Sequence, residues 1–146
     1  MNINRQWLLA KRPFGPVGKE NFEYAENAIP EPADGKVLVR NLWLSFDPTQ
    51  RGWMEDRESY LPPVKIGEPM RAGSIGQVVE SKHPDFAQGD IVQTTGGWQD
   101  FVVAEPNQGP MGLSKVPVGI TPEMMMSVLG ITGLTAYWCP LELANP

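Results

Sequence analysis

Short runs of alternating apolar and polar residues dominate the chain, and they predict β-strands rather than long helices. The clearest run spans Lys36 to Phe46, where Leu38, Leu42 and Leu44 share one face. Both faces of this run are largely apolar, so we predict a central strand there. Further strands are predicted at Trp7 to Leu9, Phe22 to Ala28, Gly76 to Ser81, Ile91 to Thr95, Trp98 to Ala104 and Leu113 to Val116.

Helix signals are confined to two places, since 15 Gly and 15 Pro interrupt the rest of the chain. Asp47 before Pro48 predicts a capped helical turn. Thr121 before Pro122 predicts a helix that runs through Leu129 and ends at Gly130. A second helix is predicted from about Leu134 to Leu143, with Tyr137, Trp138 and Leu141 on a bulky apolar face. The pattern therefore predicts a mainly β domain over residues 1–120, followed by a helical exit segment over residues 121–146.

Composition narrows the class of protein. A chain of 146 residues that is 41% hydrophobic and 20% charged is long enough for one domain with a core and too short for two ordinary domains. The net charge of −5 argues against nucleic acid as a partner, because that partner requires clustered Lys and Arg. Neither a signal peptide nor a membrane-spanning run is apparent. One cysteine, Cys139, excludes a disulfide framework, and a cytoplasmic protein is expected.

A catalytic zinc site is not expected from these residues. Such a site requires three protein ligands from Cys, His or carboxylate side chains, whereas the chain has one His and one Cys. His83 precedes Pro84 in a predicted surface turn. We therefore expect catalysis without a metal.

Five ordered motifs carry a family resemblance. They are LSFDPTQRGWM at Leu44, YLPPVKIGEPMRAGSIGQVVES at Tyr60, GDIV at Gly89, GGWQDFVV at Gly96 and LGITGLTAYW at Leu129. Together they resemble the zinc-independent medium-chain dehydrogenase/reductase family, in the branch of leukotriene B4 12-hydroxydehydrogenase, prostaglandin reductase and curcumin reductase. The resemblance implies a GroES-like, partly open β-barrel, followed in complete members by a Rossmann domain that binds NADPH. Complete members reduce the C=C bond of α,β-unsaturated ketones and aldehydes.

The phosphate-binding element of such an enzyme is not found in this sequence. A dinucleotide fingerprint places glycines between a strand and a helix, so that backbone N–H groups approach the pyrophosphate. GSIG at Gly73 and TTGG at Thr94 precede strands and are predicted to be turns. We expect the cofactor domain to lie outside this chain, the chain alone to be inactive, and the complete protein to be a homodimer. The choice between NADPH and NADH stays open.

Tyr60 is the leading catalytic candidate. A phenol hydroxyl can donate a hydrogen bond to the carbonyl oxygen of an enone and so stabilise the enolate that hydride transfer produces. Two alternatives remain: a tyrosine that packs its loop against Pro62 and Pro63, or a tyrosine outside this chain that performs the role.

Arg51 and Trp98 are substrate-binding candidates. The resemblance places the turn that carries Arg51 beside the active cleft, where the side chain could orient a polar substrate tail or approach the cofactor. An arginine that is solvated or paired with a carboxylate is the alternative. Trp98 could form a wall of the substrate pocket, and a core tryptophan on a strand is the alternative reading.

Ile131 and Thr135 are cofactor-binding candidates by resemblance. Relatives place a threonine and nearby backbone groups against the nicotinamide carboxamide, which fixes the ring face that transfers hydride. Only the backbone of Ile131 could carry such a role. Capping of a helix start by Thr132 or Thr135 is the alternative.

Two other function classes stay open. The first is a quinone oxidoreductase of the same superfamily. The second is a non-catalytic GroES-like β-barrel that serves as a binding module, because a fold does not dictate a function. The expected partner of an enzyme is a small enone or quinone, with neither nucleic acid nor a membrane involved.

Overall fold

The computed structural model describes residues 3–106 and 112–143. The chain divides into two compact units, Met1–Ser114 and Lys115–Pro146. In the described residues, the first unit carries six strands, a seventh two-residue strand spans the boundary at Ser114–Lys115, and the second unit carries two α-helices. In the described residues, no helix is long and apolar enough to cross a bilayer.

The strands of the first unit form two open sheets. β1 pairs with β2 in an antiparallel hairpin, and the other five strands follow the order β6-β3-β4-β5-β7. β3 lies between β4 and β6, so the predicted central strand is confirmed, as is the mainly β fold class. The strand bounds are β1 Ile3–Leu9, β2 Phe22–Ala28, β3 Val37–Leu44, β4 Ser74–Ser81, β5 Ile91–Thr94, β6 Phe101–Ala104 and β7 Ser114–Lys115.

Valines at alternate positions bury one face of the five-stranded sheet. Val37 and Val39 of β3 are fully buried, and Val78 of β4 and Val92 of β5 pack with them. Residues two apart on a strand point to the same face, so neighbouring strands contribute their valines to one apolar cluster. Leu113 completes this cluster just before β7.

A second apolar cluster lies beside the short helix α1, which spans Thr49–Trp53. Leu9 from the end of β1 and Met70 from the segment before β4 are fully buried in it. Phe22, Leu61 and Trp98 pack against it. This cluster therefore joins the β1–β2 hairpin to the segment that follows α1.

β1 begins four residues earlier than the apolar pattern predicts, because a buried polar side chain near its start bonds to the backbone of β6. Asn4 is 2% exposed. Its amide nitrogen donates to the Phe101 carbonyl at 2.9 Å, and its Oδ1 accepts from the Phe101 N–H at 2.9 Å. This pair of bonds repeats the pattern of two residues facing each other in an antiparallel ladder.

The prediction that Asp47 caps the first helix is wrong. The N-cap of α1 is Pro48, and no side-chain hydrogen bond caps it. Asp47 contributes its backbone carbonyl instead, which accepts from the Gln50 N–H at 3.0 Å. Gln50 is buried and donates its side-chain amide to the Ser45 carbonyl at 2.8 Å, so it is not free to complete a capping box.

In the second unit, the first helix begins as Thr121 predicts but ends earlier, and the second begins at Ile131 rather than at about Leu134. Thr121 Oγ1 accepts from the Met124 N–H at 3.2 Å, which confirms the cap of α2, Pro122–Met126. α2 ends three residues before Leu129, since the Ser127 hydroxyl bonds to the Glu123 carbonyl at 2.6 Å and the backbone at Ser127 leaves the helical region. α3 spans Ile131–Trp138 and continues as a π-helical turn over Cys139–Leu143.

Candidate active site

An apolar groove of about 570 Å³ opens on the first unit. Trp98 forms part of its wall, with ring centroids 5.0 Å from Phe22 and 5.5 Å from Phe46. Phe46 is 76% exposed, which is unusual for a large aromatic side chain. The groove is lined by Arg5, Trp7, Lys19, Phe22, Tyr24, Asn41, Leu42, Leu44, Phe46, Trp98, Gln99 and Asp100.

The backbone of Trp98 is held on two sides. Its N–H donates to the Met70 carbonyl at 2.8 Å, and its carbonyl accepts from the Trp7 N–H at 2.9 Å. The indole Nε1 is buried without an acceptor among the described residues, and Asn41 Oδ1 is buried without a donor among them. Each such atom carries a desolvation cost of about 1–3 kcal/mol. The wall of the groove therefore contains two buried polar atoms without a hydrogen-bond partner among the described residues.

An ion pair crosses the rim of the groove between Arg5 and Asp100. Arg5 Nε lies 2.6 Å from Asp100 Oδ2, and Arg5 Nη2 lies 3.1 Å from Oδ1. The hydrogen bond from Arg5 lowers the pKa of Asp100 below its ordinary value of 3.8 and raises the pKa of Arg5. At Tyr24, the hydrogen bond that its hydroxyl donates to Glu26 raises the pKa of the phenol.

The Asp100→Asn variant is expected to melt at a slightly lower temperature than the parent chain above about pH 5. The ionised Asp100 carboxylate stabilises the fold through its bonds with Arg5, and protonation removes this contribution. Because the folded-state pKa of Asp100 lies below the unfolded value near 3.8, this contribution is present above pH 3.8 and is lost as the pH falls through the folded pKa.

Thermal melting from pH 7 to pH 2.5 checks this expectation. The matched control is Asp34→Asn, since Asp34 is exposed in the turn before β3 and has no ion pair within residues 3–106 and 112–143. A gap between parent and Asp100→Asn that stays constant down to pH 2.5 would contradict the assignment.

Tyr60 lies on the loop after α1 and is 71% exposed. Its hydroxyl lies 2.6 Å from Thr49 Oγ1 and accepts from the Trp53 indole N–H at 3.2 Å. The exposed ring means that the hydroxyl contacts, rather than close packing of the ring, fix its place. Tyr60 does not line the groove that contains Trp98.

Trp53 connects Tyr60 to the core. Its side chain is 4% exposed within the cluster of Leu9 and Met70, against which Trp98 also packs. The Arg71 guanidinium lies 5.4 Å from the centroid of the Trp53 ring and donates to the Pro62 carbonyl at 2.9 Å. Sequence reasoning did not identify Thr49 or Trp53. The available signal was the indole N–H of a tryptophan in a helical turn, which requires an acceptor once it is buried.

Arg51 is bonded to one residue just after its helix and to one in the loop that follows β1. Its Nη1 donates to Glu55 Oε1 at 2.8 Å, and its Nη2 donates to the Gly15 carbonyl at 3.2 Å. Glu55 also bonds Arg57 at 2.8 Å. This is the carboxylate pairing that the structural alternative predicts, and a role toward substrate or cofactor stays a prediction.

Ile131 and Thr135 both lie on α3 of the second unit. Ile131 is its first residue and is 74% exposed. Thr135 donates its hydroxyl to the Ile131 carbonyl at 2.7 Å, one turn earlier. The N-cap is Gly130 without a side-chain bond, so the alternative of capping by Thr132 or Thr135 is wrong.

No cluster of metal-ligating residues forms within the part of the chain that the structure describes. His83 lies in the turn after β4, where its Nδ1 accepts from the Asp85 N–H at 3.1 Å. Its ring contacts Phe86 edge to face at 5.4 Å. His83 therefore has a local structural role.

Comparison with known proteins identifies the class. The family described as the N-terminal domain of oxidoreductase matches residues 5–112. This match covers more than half of the chain and contains the groove and the Tyr60 site. The chain belongs to this family.

Two curated proteins illustrate which members of the family the chain resembles. The chain is 42% identical over 146 residues to the NADPH-dependent curcumin reductase of Escherichia coli. The aligned region covers 98% of this chain and 41% of that protein. It is 32% identical to prostaglandin reductase 1 of Mus musculus, with 97% of this chain and 41% of the relative covered. The chain thus spans about two fifths of the length of these relatives.

Solved structures agree. CurA from Vibrio vulnificus is 37% identical and superposes with a TM-score of 0.86 over 98% of this chain and 41% of CurA. The same protein has been solved in complex with NADPH and gives the same TM-score over 97% of this chain. A quinone oxidoreductase of Pseudomonas syringae, 19% identical with a TM-score of 0.66, shares the fold alone.

Proposed function

We propose that this chain is the substrate-side part of an NADPH-dependent oxidoreductase that reduces the C=C bond of α,β-unsaturated ketones or aldehydes. The curcumin and prostaglandin reductases, at 42% and 32% identity, support the reaction class and the cofactor. NADPH supplies the hydride when it is bound. The residues of this chain orient the enone and stabilise its carbonyl oxygen.

The observation that carries the proposal is the Tyr60 hydroxyl. The phenol is exposed, and two partners hold its oxygen at 2.6 and 3.2 Å. A hydroxyl that is fixed in place and reachable from solvent can donate to a ligand carbonyl without reorganising first, which is the requirement for stabilising developing charge. Tyr60 is the proposed catalytic residue.

The groove supports an apolar substrate. Its volume of about 570 Å³ falls within the range typical of small-molecule sites, and its walls are aromatic and aliphatic. Trp98 is proposed to contact the hydrocarbon body of the enone, and because Tyr60 lies outside the groove, the proposal requires the enone carbonyl to extend beyond it to the Tyr60 hydroxyl. Arg51 is proposed to orient its polar tail, and Ile131 and Thr135 to contact the nicotinamide.

The test uses the complete protein that carries this chain. With NADPH we expect loss of absorbance at the nicotinamide band in the presence of an enone, and no loss with the matching saturated ketone. The product should be the saturated ketone rather than an allylic alcohol, as mass spectrometry and NMR would show. Oxidation of NADPH by quinones alone would favour the quinone oxidoreductase class instead.

Variants in the same assay test the remaining residues. Trp98→Leu and Arg51→Gln are expected to raise KM for the enone, and Thr135→Ala to raise KM for NADPH. An unchanged KM would remove the residue concerned from the proposal.

The cellular location, the binding partner and the oligomeric state are proposals as well. A cytoplasmic location fits the single cysteine, and a small-molecule partner fits the groove. The homodimer rests on the family resemblance. Sedimentation velocity of the complete protein would test it, and a monomer at micromolar concentration would contradict it.

A further inference from the structure

We propose that Thr49 and Trp53 are positioning residues that aim the phenol proton of Tyr60, with Thr49 as a partner that reverses its hydrogen bond when a carbonyl compound binds. This inference rests on the proposed function, because it requires Tyr60 to donate to a ligand. It concerns orientation only, so no covalent bond forms or breaks among the three residues.

The direction of the first bond is fixed by chemistry. The indole nitrogen of tryptophan is only a donor, so Trp53 Nε1–H donates to the Tyr60 oxygen at 3.2 Å. A phenol oxygen has one proton to donate and can accept further bonds. After Trp53 is placed, Tyr60 retains one acceptor position and its own proton.

The second bond can run in either direction. Thr49 Oγ1 lies 2.6 Å from the Tyr60 oxygen, and either atom could be the donor. If Tyr60 donates to Thr49, the phenol proton is occupied. If Thr49 donates to Tyr60, the phenol oxygen accepts from both partners and its proton is free for a carbonyl oxygen. Concerted rotation of the two hydroxyl protons, on Thr49 and on Tyr60, interchanges the two states.

Trp53 is the fixed member and Thr49 the adjustable one. The Trp53 side chain is 4% exposed in the core cluster, and its backbone carbonyl accepts from the Val64 N–H at 2.8 Å. Thr49 is exposed on the first turn of α1, so its hydroxyl proton is not confined by packing. The pair therefore combines a rigid donor with a hydroxyl of interchangeable polarity, and a ligand that offers only an acceptor selects one of the two states.

The experiment compares Thr49→Val, which removes the hydroxyl and keeps the shape, with Thr49→Ser, which keeps the hydroxyl. In the complete protein we expect Thr49→Val to lower kcat for enone reduction about tenfold, with KM within about twofold, since one hydrogen bond is lost where charge develops. Thr49→Ser should retain near-parental kcat. Ser59→Ala, beside Tyr60 and exposed, is the control and should leave kcat unchanged.

A double variant shows whether Thr49 acts through Tyr60. Thr49→Val should have no further effect on kcat in a Tyr60→Phe background, because the oxygen that it positions is gone. The Trp53 indole N–H resonance should shift much further in Tyr60→Phe, where its acceptor is lost, than in Thr49→Val, where the acceptor stays and the loop is intact.

The outcomes separate the two proposals. If Tyr60→Phe leaves kcat unchanged, the proposed role of Tyr60 fails. If Tyr60→Phe lowers kcat but Thr49→Val does not, or if Thr49→Ser is as slow as Thr49→Val, the positioning role of Thr49 is overturned while the enone reductase stands. Additive losses in the double variant, or a Trp53 resonance that moves as far in Thr49→Val as in Tyr60→Phe, would also overturn it.

Discussion

Tyr60→Phe is expected to lower kcat for enone reduction about 100-fold in the complete protein, which is the usual loss when one donor to a developing oxyanion is removed. The phenylalanine ring keeps the shape of an exposed side chain and removes only the hydroxyl, which lies 2.6 Å from Thr49 and 3.2 Å from the Trp53 nitrogen. KM should change little, because the enone ground state carries less charge on its oxygen than the transition state. Steady-state kinetics with saturating NADPH measures both parameters.

A control must show whether a lower kcat in Tyr60→Phe comes from loss of the catalytic hydroxyl or from a general effect of replacing an exposed tyrosine. Tyr137→Phe is the matched control, since Tyr137 is also an exposed tyrosine, 60% accessible, and no catalytic role is assigned to it. Its kcat should equal that of the parent. Equal kcat for Tyr60→Phe and the parent would assign the donor to a residue outside this chain.

Gly97→Ala is expected to lower the free energy of unfolding by about 3 kcal/mol. Gly97 has φ of +72°, a conformation that alanine adopts only with strain. A Cβ at this position would lie 2.5 Å from the Met70 carbonyl oxygen, closer than real Cβ contacts come. That carbonyl accepts from the Trp98 N–H, so the backbone cannot move away without breaking this hydrogen bond at the groove.

Gly89→Ala separates the cost of the positive φ from the cost of the close contact with Met70. Gly89 has φ of +97° but nothing within 4 Å of the added carbon, so only the dihedral strain applies. About 1 kcal/mol is expected for this control. Urea unfolding of the chain followed by circular dichroism gives both values. Equal losses in the two variants would mean that the contact with Met70 relaxes at no cost.

The strands were predictable because alternation is a local property. β2 occupies the predicted range, and β3 and β5 differ from theirs by one or two residues at their ends. β6 begins at Phe101 rather than Trp98, since residues 98–100 bond to β1 and to the segment before β4. A neighbour that is distant in sequence decides such a boundary, and no pattern in the segment itself records it.

The sequence pointed to Tyr60 and Trp98 as candidates but not to Thr49 or Trp53, and it predicted none of the contacts among them. Tyr60 and Trp98 follow from residue chemistry and from motifs, and the structure places Trp98 in the groove wall and Tyr60 beside Thr49. The contact of Tyr60 with Thr49 and Trp53 depends on how the loop after α1 folds back, which is tertiary information. The same holds for Asp47, whose expected cap is absent because Pro48 takes the N-cap position.

The amide of Asn4 restricts what protein engineering can do at that position. One side chain there must offer a donor and an acceptor at a fixed spacing toward Phe101. Aspartate has no donor when it is ionised, leucine has neither group, and glutamine places both one methylene further away. Libraries that randomise the first strand for solubility or display should therefore hold this codon constant, although a pattern of apolar residues would class it as a surface position.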